Sequence, residues 1–460
     1  MSSTTATAAD RPLTTTIDAS RKVSRTRKRY GILAMLFLVT TINYADRATL
    51  ATAGPVLTNE LGIDPVTMGY LFSAFGWSYV LAQLPGGWLL DRFGSKKVYF
   101  YSIFFWSIFT LLQGGITLVT GTIGSAIVGL FALRLLVGAA EAPSFPANGR
   151  IVASWFPANE RGTASAIFNS AQYFATVLFA PLMGWITHTW GWRAVFVFMG
   201  LVGIAVSLVW LKTIFSPKTH PSINEAELDY IAQGGALVNM DQAASANTRA
   251  VGGPRWNYIG QLLSNRMMLG VYIGQYCITT LTYFFLTWFP VYLVKERGMS
   301  ILNAGFVAAL PAICGFLGGV LGGLISDGLL RQGKSLTVAR KTPIVVGMLL
   351  STSMIACNFV SSSTVVVAIM ALAFFGKGLG ALGWAVVSDT SPKEISGLSG
   401  ALFNTFGNTA AITTPIVIGY LIKGTGSFDA ALVYVAANAL VAVACYLFVV
   451  GEIKRFDLRK

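Results

Sequence analysis

Apolar runs of about 20 residues recur twelve times in this 460-residue chain, near 30–54, 67–90, 97–119, 122–143, 162–186, 193–214, 267–294, 301–326, 343–361, 364–388, 397–422 and 429–450. Wound as a helix, each is long enough for the roughly 30 Å hydrocarbon layer of a bilayer. In that medium backbone N–H and C=O groups must pair inside the segment, so long apolar runs fold as helices. The pattern predicts an all-α membrane protein with twelve transmembrane helices. Charged residues make up only 11% of the chain, against about 25% in soluble domains.

The net charge of +14 raises the question of nucleic acid, and its distribution answers it. Of 33 Lys and Arg, 26 fall in the N-terminal arm, the C-terminal tail and alternate loops; four lie in the opposite loops and three within spans. That asymmetry is the positive-inside bias and places both termini in the cytoplasm. The expected layout is a basic cytoplasmic arm (1–29), an N-terminal six-helix bundle (30–214), a cytoplasmic linker (215–266), a C-terminal six-helix bundle (267–450) and a cytoplasmic tail (451–460). The arm lacks a short apolar core with a cleavage site, so it does not read as a signal peptide. In the linker, the stretch from Ser222 to Ile231 begins like a capped helix with acidic residues in its first turn. Gly234 to Gly253 reads as flexible linker. Cys277, Cys314, Cys357 and Cys445 sit in apolar runs without paired spacing, and His188 and His220 lie far apart, so no metal site or disulfide framework is indicated.

The two halves resemble each other. Gly87-x-x-x-Asp91 ends the second span and Gly323-x-x-x-Asp327 ends the eighth, an offset of 236 residues, each followed by basic residues. Two parallel six-helix repeats joined by a loop are a transporter architecture with its substrate site between the repeats near mid-membrane. A helix-end aspartate with neighbouring cations serves either as a conformational latch (Gly87, Asp91, Arg92, Gly94, Lys96, Asp327) or as a simple loop anchor.

Within the spans, Asp46 and Arg47 stand side by side in the first, Arg134 and Glu141 share a face of the fourth, and Lys377 lies in the tenth. A charge at the centre of a membrane helix costs roughly 2.5–3.5 kcal/mol on insertion scales and marks a functional site by default, with a structural clamp between helices as the alternative. Asn43, Tyr44 and Arg47 share one helical face, whereas Asp46 is turned about 100° from Arg47. Tyr79 and Gln83, Gln172 and Tyr173, Trp384, and Asn404 and Asn408 supply neutral donors and acceptors, suited to a polyhydroxylated ligand or to interhelical bonding. The repeat offset places Lys377 where Glu141 stands in the first half; either Arg47 takes one ligand carboxylate and Lys377 a second, or Lys377 snorkels to the cytoplasmic interface or pairs with Glu141 without touching ligand. Gly315, Gly319 and Gly323 suggest close helix packing. Gly328 to Ser335 satisfies a phosphate-loop pattern, but a membrane helix precedes it where that loop needs a strand, so it is not read as a nucleotide site.

Gly87-x-x-x-Asp91-Arg92-x-Gly94-x-Lys96-Lys97 resembles the loop signature of the major facilitator superfamily. Asn43-Tyr44-x-Asp46-Arg47, with Arg134 and Glu141, is similar to its anion:cation symporters. The stretches Phe72 to Phe75, Gly86 to Lys96, Phe168 to Thr176 and Phe374 to Gly378 resemble bacterial glucarate/galactarate permeases, and the likeness covers nearly the whole chain outside the arm and linker. The resemblance implies proton-coupled uptake of an acidic sugar, D-glucarate or galactarate, by alternating access across a bacterial inner membrane. It also implies Asp46 and Glu141 as proton carriers, Arg134 tuning Glu141, Arg47 on a substrate carboxylate, and Tyr44, Tyr79, Gln172, Trp384 and Asn404 as sugar-acid contacts. Protons are the coupling ion and no other cofactor is expected; the partners are the substrate and the bilayer, without nucleic acid, and the monomer is the expected unit. No nucleophile–base or metal constellation points to an enzyme. The rivals are a hexonate symporter, an organic-anion exchanger and a sensor that binds the sugar acid without moving it.

Overall fold

A computed structural model describes residues 25–240, 256–392 and 395–458, and among these there is no strand. The first half comprises α1 (Lys28–Leu61), α2 (Pro65–Phe93), α3 (Ser95–Val119), α4 (Ile123–Glu141), α5 (Ser144–Trp155), α6 (Arg161–Trp190) and α7 (Trp192–Thr213). A short α8 (Glu225–Gln233) and α9 (Trp256–Ser264) lie between the halves. The second half comprises α10 (Arg266–Tyr283), a π turn (Phe284–Trp288), α11 (Phe289–Lys295), α12 (Ile301–Arg331), α13 (Leu336–Ser351), a 3-10 segment (Thr352–Phe359), α14 (Ser363–Leu379), α15 (Gly383–Thr390), α16 (Ser396–Thr425) and α17 (Asp429–Ala444). Ten segments among the described residues are long and apolar enough to cross a membrane. Helices α1 and α2 have 34 and 29 residues, ample for a crossing, and are less apolar because they carry Asp46, Arg47, Tyr79 and Gln83. With them the crossings number twelve, as the sequence predicts.

Two crossings are each built from two helices with a break between them. The fourth span, expected to end at 143, runs from Ile123 to Trp155 through a break at Pro143. Proline lacks an N–H and its ring crowds the carbonyl four residues back, so it interrupts a helix that its neighbours otherwise continue. The tenth crossing is likewise two helices, α14 and α15, separated at Gly380–Leu382. Turns between crossings follow local chemistry: Asp64 Oδ1 accepts from the Val66 and Thr67 N–H groups to start α2. Gly94 takes φ 79° between α2 and α3, a left-handed value that a side chain would strain.

Within the first half α3 packs on α7, α1 on α6 and α2 on α4; within the second, α12 packs on α14 and α10 on α16. The halves meet along α2–α16 and α6–α12. Gly69 lies against the Pro415 backbone, Gly76 against Ala411, Gly184 against Gly305 and Gly419 against Pro65, all on the side away from the termini. That side is also joined by Asp64–Lys423 (3.5 Å), Tyr70–Tyr420 (3.4 Å) and Lys295–Asn59. The glycine stripe of α12 differs from expectation. Gly315, Gly318 and Gly322 leave no room for a methyl against α14, whereas Gly323 faces open space and Gly319 is loosely approached. Three and four residues recur together on one helical face, and the stripe follows that mixed spacing.

At the terminal side the linker is docked. Asn224 caps α8, and the buried Glu227 accepts from Thr26, Lys28 and Arg29 of the arm. Arg29 also pairs with Glu160 at 3.0 Å, to which the Tyr230 hydroxyl donates at 2.6 Å. Burial raises the Glu160 carboxyl, but Tyr230 and Arg29 outweigh it and hold the group below its usual range. Gly234 to Met240, expected to be flexible, bonds back through Gly234 O to Ala158 and Leu237 N to Ala153 O. The remainder of that expected flexible stretch, from 241 on, and the first 24 residues lie outside the described residues.

Candidate functional site

The kink at Pro143 builds the centre of the site. It frees carbonyls at the end of α4, and Ser102 donates to the Ala140 oxygen while Ser144 donates to that of Glu141. Gly86 of α2 abuts Pro143, and Gly138 of α4 abuts the Phe75 backbone, so α2 and α4 cross closely. That approach sets Phe75 and Tyr79 beside the two arginines. The Arg47 guanidinium lies 5.0 Å from the Tyr44 ring, 4.6 Å from Phe75 and 4.8 Å from Tyr79. Arg134 stands 5.7 Å from Phe75. Such faces attract a desolvated cation.

Arg47 Nε donates to Glu141 Oε2 at 2.8 Å, with the side chains 5% and 0% exposed. Asp46 turns the other way and accepts from the Thr110 hydroxyl of α3 at 2.8 Å. Arg134 Nη2 reaches the Arg47 carbonyl at 3.5 Å. Arg47 Nη2, Arg134 Nε and Nη1, and Glu141 Oε1 are buried without a partner. Buried donors and acceptors in folded proteins are nearly always satisfied, so these four atoms mark a place where a further polar group belongs.

Across the interface, Lys377 is 5% exposed and has no ion pair or hydrogen bond among the described residues. Its ammonium stands 5.2 Å from the Phe374 ring and 5.6 Å from the Tyr173 ring of α6 in the other half. Asn404 of α16 donates to Gln83 of α2 at 3.3 Å, and Asn408 donates to Asn404 while accepting from Tyr283 at 3.3 Å. Gln172 bonds its own helix at Asn169, and Trp384 is 57% exposed against Phe403; neither touches the Arg47–Glu141 pair. Tyr44 and Tyr79 do flank it.

The residues expected to form a latch separate into two groups. Asp91 pairs with Arg150 of α5 and not with the basic residues that follow it. Arg92 lies over the Trp88 and Phe93 rings, and Lys96 over Phe215. Asp327 lies 3.9 Å from Arg340, which also pairs with Asp389 at 2.8 Å. Arg150 escaped the sequence reading because the fourth span was ended before it. Thr110, Tyr283 and Phe75 escaped because a single Thr, Tyr or Phe in an apolar run carries no signal of its own.

A twelve-crossing helical molecule with buried charges where its halves meet has the build of a secondary transporter, not of an enzyme. Residues 36–339 match the model of the Major Facilitator Superfamily, and the chain belongs to that family. A probable galactarate/D-glucarate transporter of Bacillus subtilis (strain 168) is 66% identical over 436 residues, 95% of each chain. One from Escherichia coli (strain K12) is 63% identical, covering 96% of this chain and 97% of its own. A D-galactonate transporter of Escherichia coli O6:H1 is 42% identical, covering 93% of this chain and 97% of its own. Among solved structures, a D-xylose-proton symporter shares the fold at TM-score 0.69 and 16% identity, over 91% of this chain and 98% of that one.

Proposed function

We propose that this chain is a proton-coupled symporter that imports a six-carbon sugar diacid, galactarate or D-glucarate, by alternating access across a bacterial inner membrane, with both termini in the cytoplasm. The names of its relatives support the substrate class. The observation that carries the mechanism is the buried Arg47–Glu141 pair with its free Arg47 Nη2. A guanidinium grips a carboxylate through two parallel N–H bonds. While Glu141 is ionised it holds one edge of that fork. Protonation releases the edge, and substrate carboxylate and proton therefore load together. Arg134 holds its positive charge beside the same group, and Asp46 with Thr110 offers a second carboxylate in a different setting.

The five intramembrane charges, Arg47, Arg134, Lys377, Asp46 and Glu141, sum to +1 with both carboxylates ionised and +3 with both protonated. Protonation thus readies the cavity for a dianion, with Lys377 receiving the second carboxylate and Tyr44, Tyr79, Gln172, Trp384 and Asn404 the hydroxyls. The bundles 30–214 and 267–450 rock about this site, Asp91 and Asp327 serving as latches on the cytoplasmic side. The monomer carries the whole cycle.

The deciding experiment is uptake of labelled galactarate, D-glucarate and galactonate into proteoliposomes, with and without an inward proton gradient. Accumulation of the diacids only under the gradient is expected. Gradient-independent exchange with internal anion would replace symport by exchange, and binding without uptake would make the protein a sensor.

A further inference from the structure

Beyond Glu141, toward the cytoplasm, the first half encloses a file of polar side chains that nothing in the substrate site uses. Asn43 and Thr40 continue the face of α1 that carries Arg47, Thr40 lying about 10 Å along the helix from it. Asn148 of α5 is seven residues past Glu141, beyond the Pro143 kink, and donates to the Thr40 hydroxyl at 3.0 Å. Tyr99 of α3 sets its hydroxyl beside Asn148 and Thr40, and Asn43 lies beside Glu141. These groups are at most 1% exposed. Asn43 Oδ1 and Nδ2, Glu141 Oε1, Tyr99 OH and Asn148 Oδ1 are all buried without a partner. The file ends one turn from Ser95, whose hydroxyl accepts from Arg150 at 3.4 Å, beside the Asp91 latch.

One stray unsatisfied atom in a membrane helix is tolerable, but five converging from α1, α3, α4 and α5 on one line are not, because each forfeits its hydration without return. A buried water needs two to four polar partners, and this line supplies them in sequence. We propose that the file holds a chain of waters and carries the coupled proton from Glu141 to the cytoplasm, inside the first half and apart from the space the sugar acid occupies. The inference rests on the symport reading above. Glu141 gives its proton from Oε1 to a water, and the carboxylate left behind pairs with Arg47 again through Oε2. The excess proton then passes between waters, Thr40 and Tyr99 accepting and donating through their hydroxyls while the amides of Asn43 and Asn148 hold the waters in place. The charged and titratable groups around the donor are Arg47, Asp46 and Tyr44 of α1, Tyr79 of α2, Tyr99 of α3, Arg134 of α4 and Tyr283 of α10.

The test uses the full-length protein in proteoliposomes loaded with a pH-sensitive dye. Galactarate is added outside at pH 6 with pH 7.5 inside, and proton influx is followed beside labelled uptake. In Thr40→Val, Tyr99→Phe and Asn148→Leu, both signals should fall at least fivefold. Counterflow exchange of labelled galactarate at equal pH, which needs no proton release, should stay within twofold of the parent. Asn148→Ser, which keeps a polar atom, should recover part of the influx. Parental influx in Thr40→Val and Tyr99→Phe overturns the route, as does an equal loss of counterflow, which would make the file merely structural. Should Asn148→Leu fail to fold, Thr40→Val, a hydroxyl exchanged for a methyl of the same shape, decides. A parent that shows no substrate-driven proton influx defeats the symport reading itself, a result distinct from influx that persists in the variants.

Discussion

Replacing Glu141 with Gln separates the two jobs assigned to it. The Arg47–Glu141 pair is 2.8 Å long and its partners are 5% and 0% exposed, so solvent does little to screen it. Removing one member of such a pair costs about 3–5 kcal/mol, because a buried charge is left uncompensated. The Gln carbonyl can still accept from Arg47 Nε, and a hydrogen bond to a charged donor restores about 1.5–3 kcal/mol. The net loss in the ligand-free protein is therefore about 2 kcal/mol, visible as a lowered melting midpoint. Galactarate should compensate, because its carboxylate supplies the missing anion; at a hundred times Kd any ligand adds about 2.7 kcal/mol. The thermal shift produced by ligand should thus be at least as large in Glu141→Gln as in the parent, and should change less than the parent's between pH 5.5 and 8. In proteoliposomes the variant should exchange preloaded substrate but fail to accumulate it against a gradient, since an amide mimics the protonated acid and cannot cycle. Normal gradient-driven accumulation by Glu141→Gln would refute the reasoning, because Glu141 would then not be the proton carrier.

Arg47→Lys keeps the charge but loses the fork; galactarate binding by calorimetry should weaken at least tenfold, and near-parental affinity would give Arg47 a structural task only. Lys377→Gln should reduce galactarate uptake far more than any residual galactonate uptake, because it withdraws the cation set against the second carboxylate. An unchanged ratio of the two rates would remove Lys377 from diacid recognition.

How much was readable from the sequence depended on how loudly each residue speaks in a lipid environment. Charges in apolar runs are costly enough to stand out, and Asp46, Arg47, Arg134, Glu141 and Lys377 were found that way. Which of them meet could not be read off. Arg47 and Asp46 are neighbours in sequence, yet one turns to α4 and the other to α3. Helix rotation and crossing geometry decide that, and they follow from contacts such as Gly138 on Phe75 that a single strand of letters does not pair. Asn148 and Arg150 were hidden by the rule that proline ends a helix, because α5 resumes at once after Pro143. Neutral polar residues were legible as a class only. Asn404 reaches the opposite half, while Gln172 turns back on its own helix.

The repeat read from Gly87 and Gly323 extends to the way the halves seal, and it yields a prediction about the cycle. Lys295 and Asn59, 236 residues apart, touch each other, as equivalent positions do when they lie on the axis relating two repeats. The same offset takes Gly69 to Gly305 and Pro65 to Ile301. Gly69 abuts Pro415 where Gly305 abuts Ala180, and Gly419 abuts Pro65 where Gly184 abuts Ile301. The seal on the far side is thus one packing motif used twice, at α2–α16 and at α6–α12. A methyl group at Gly69 would stand 2.5 Å from the Pro415 oxygen, and one at Gly305 would stand 2.6 Å from that of Ala180. Overpacking of this kind costs about 1–3 kcal/mol, and it is paid only while the seal is shut. Each tenfold change in a population corresponds to about 1.4 kcal/mol. Gly69→Ala and Gly305→Ala should therefore each raise the population open to the far side by about five- to a hundredfold. With Cys277, Cys314, Cys357 and Cys445 replaced, a cysteine placed at Asn404 reports this through its labelling rate by an impermeant reagent from that side. The two variants should accelerate labelling alike, and their effects should multiply when combined, since the two interfaces share no residues. Faster labelling in one variant but not the other would show that the two seams do not open together, and would replace a rocking of whole halves with a local gate.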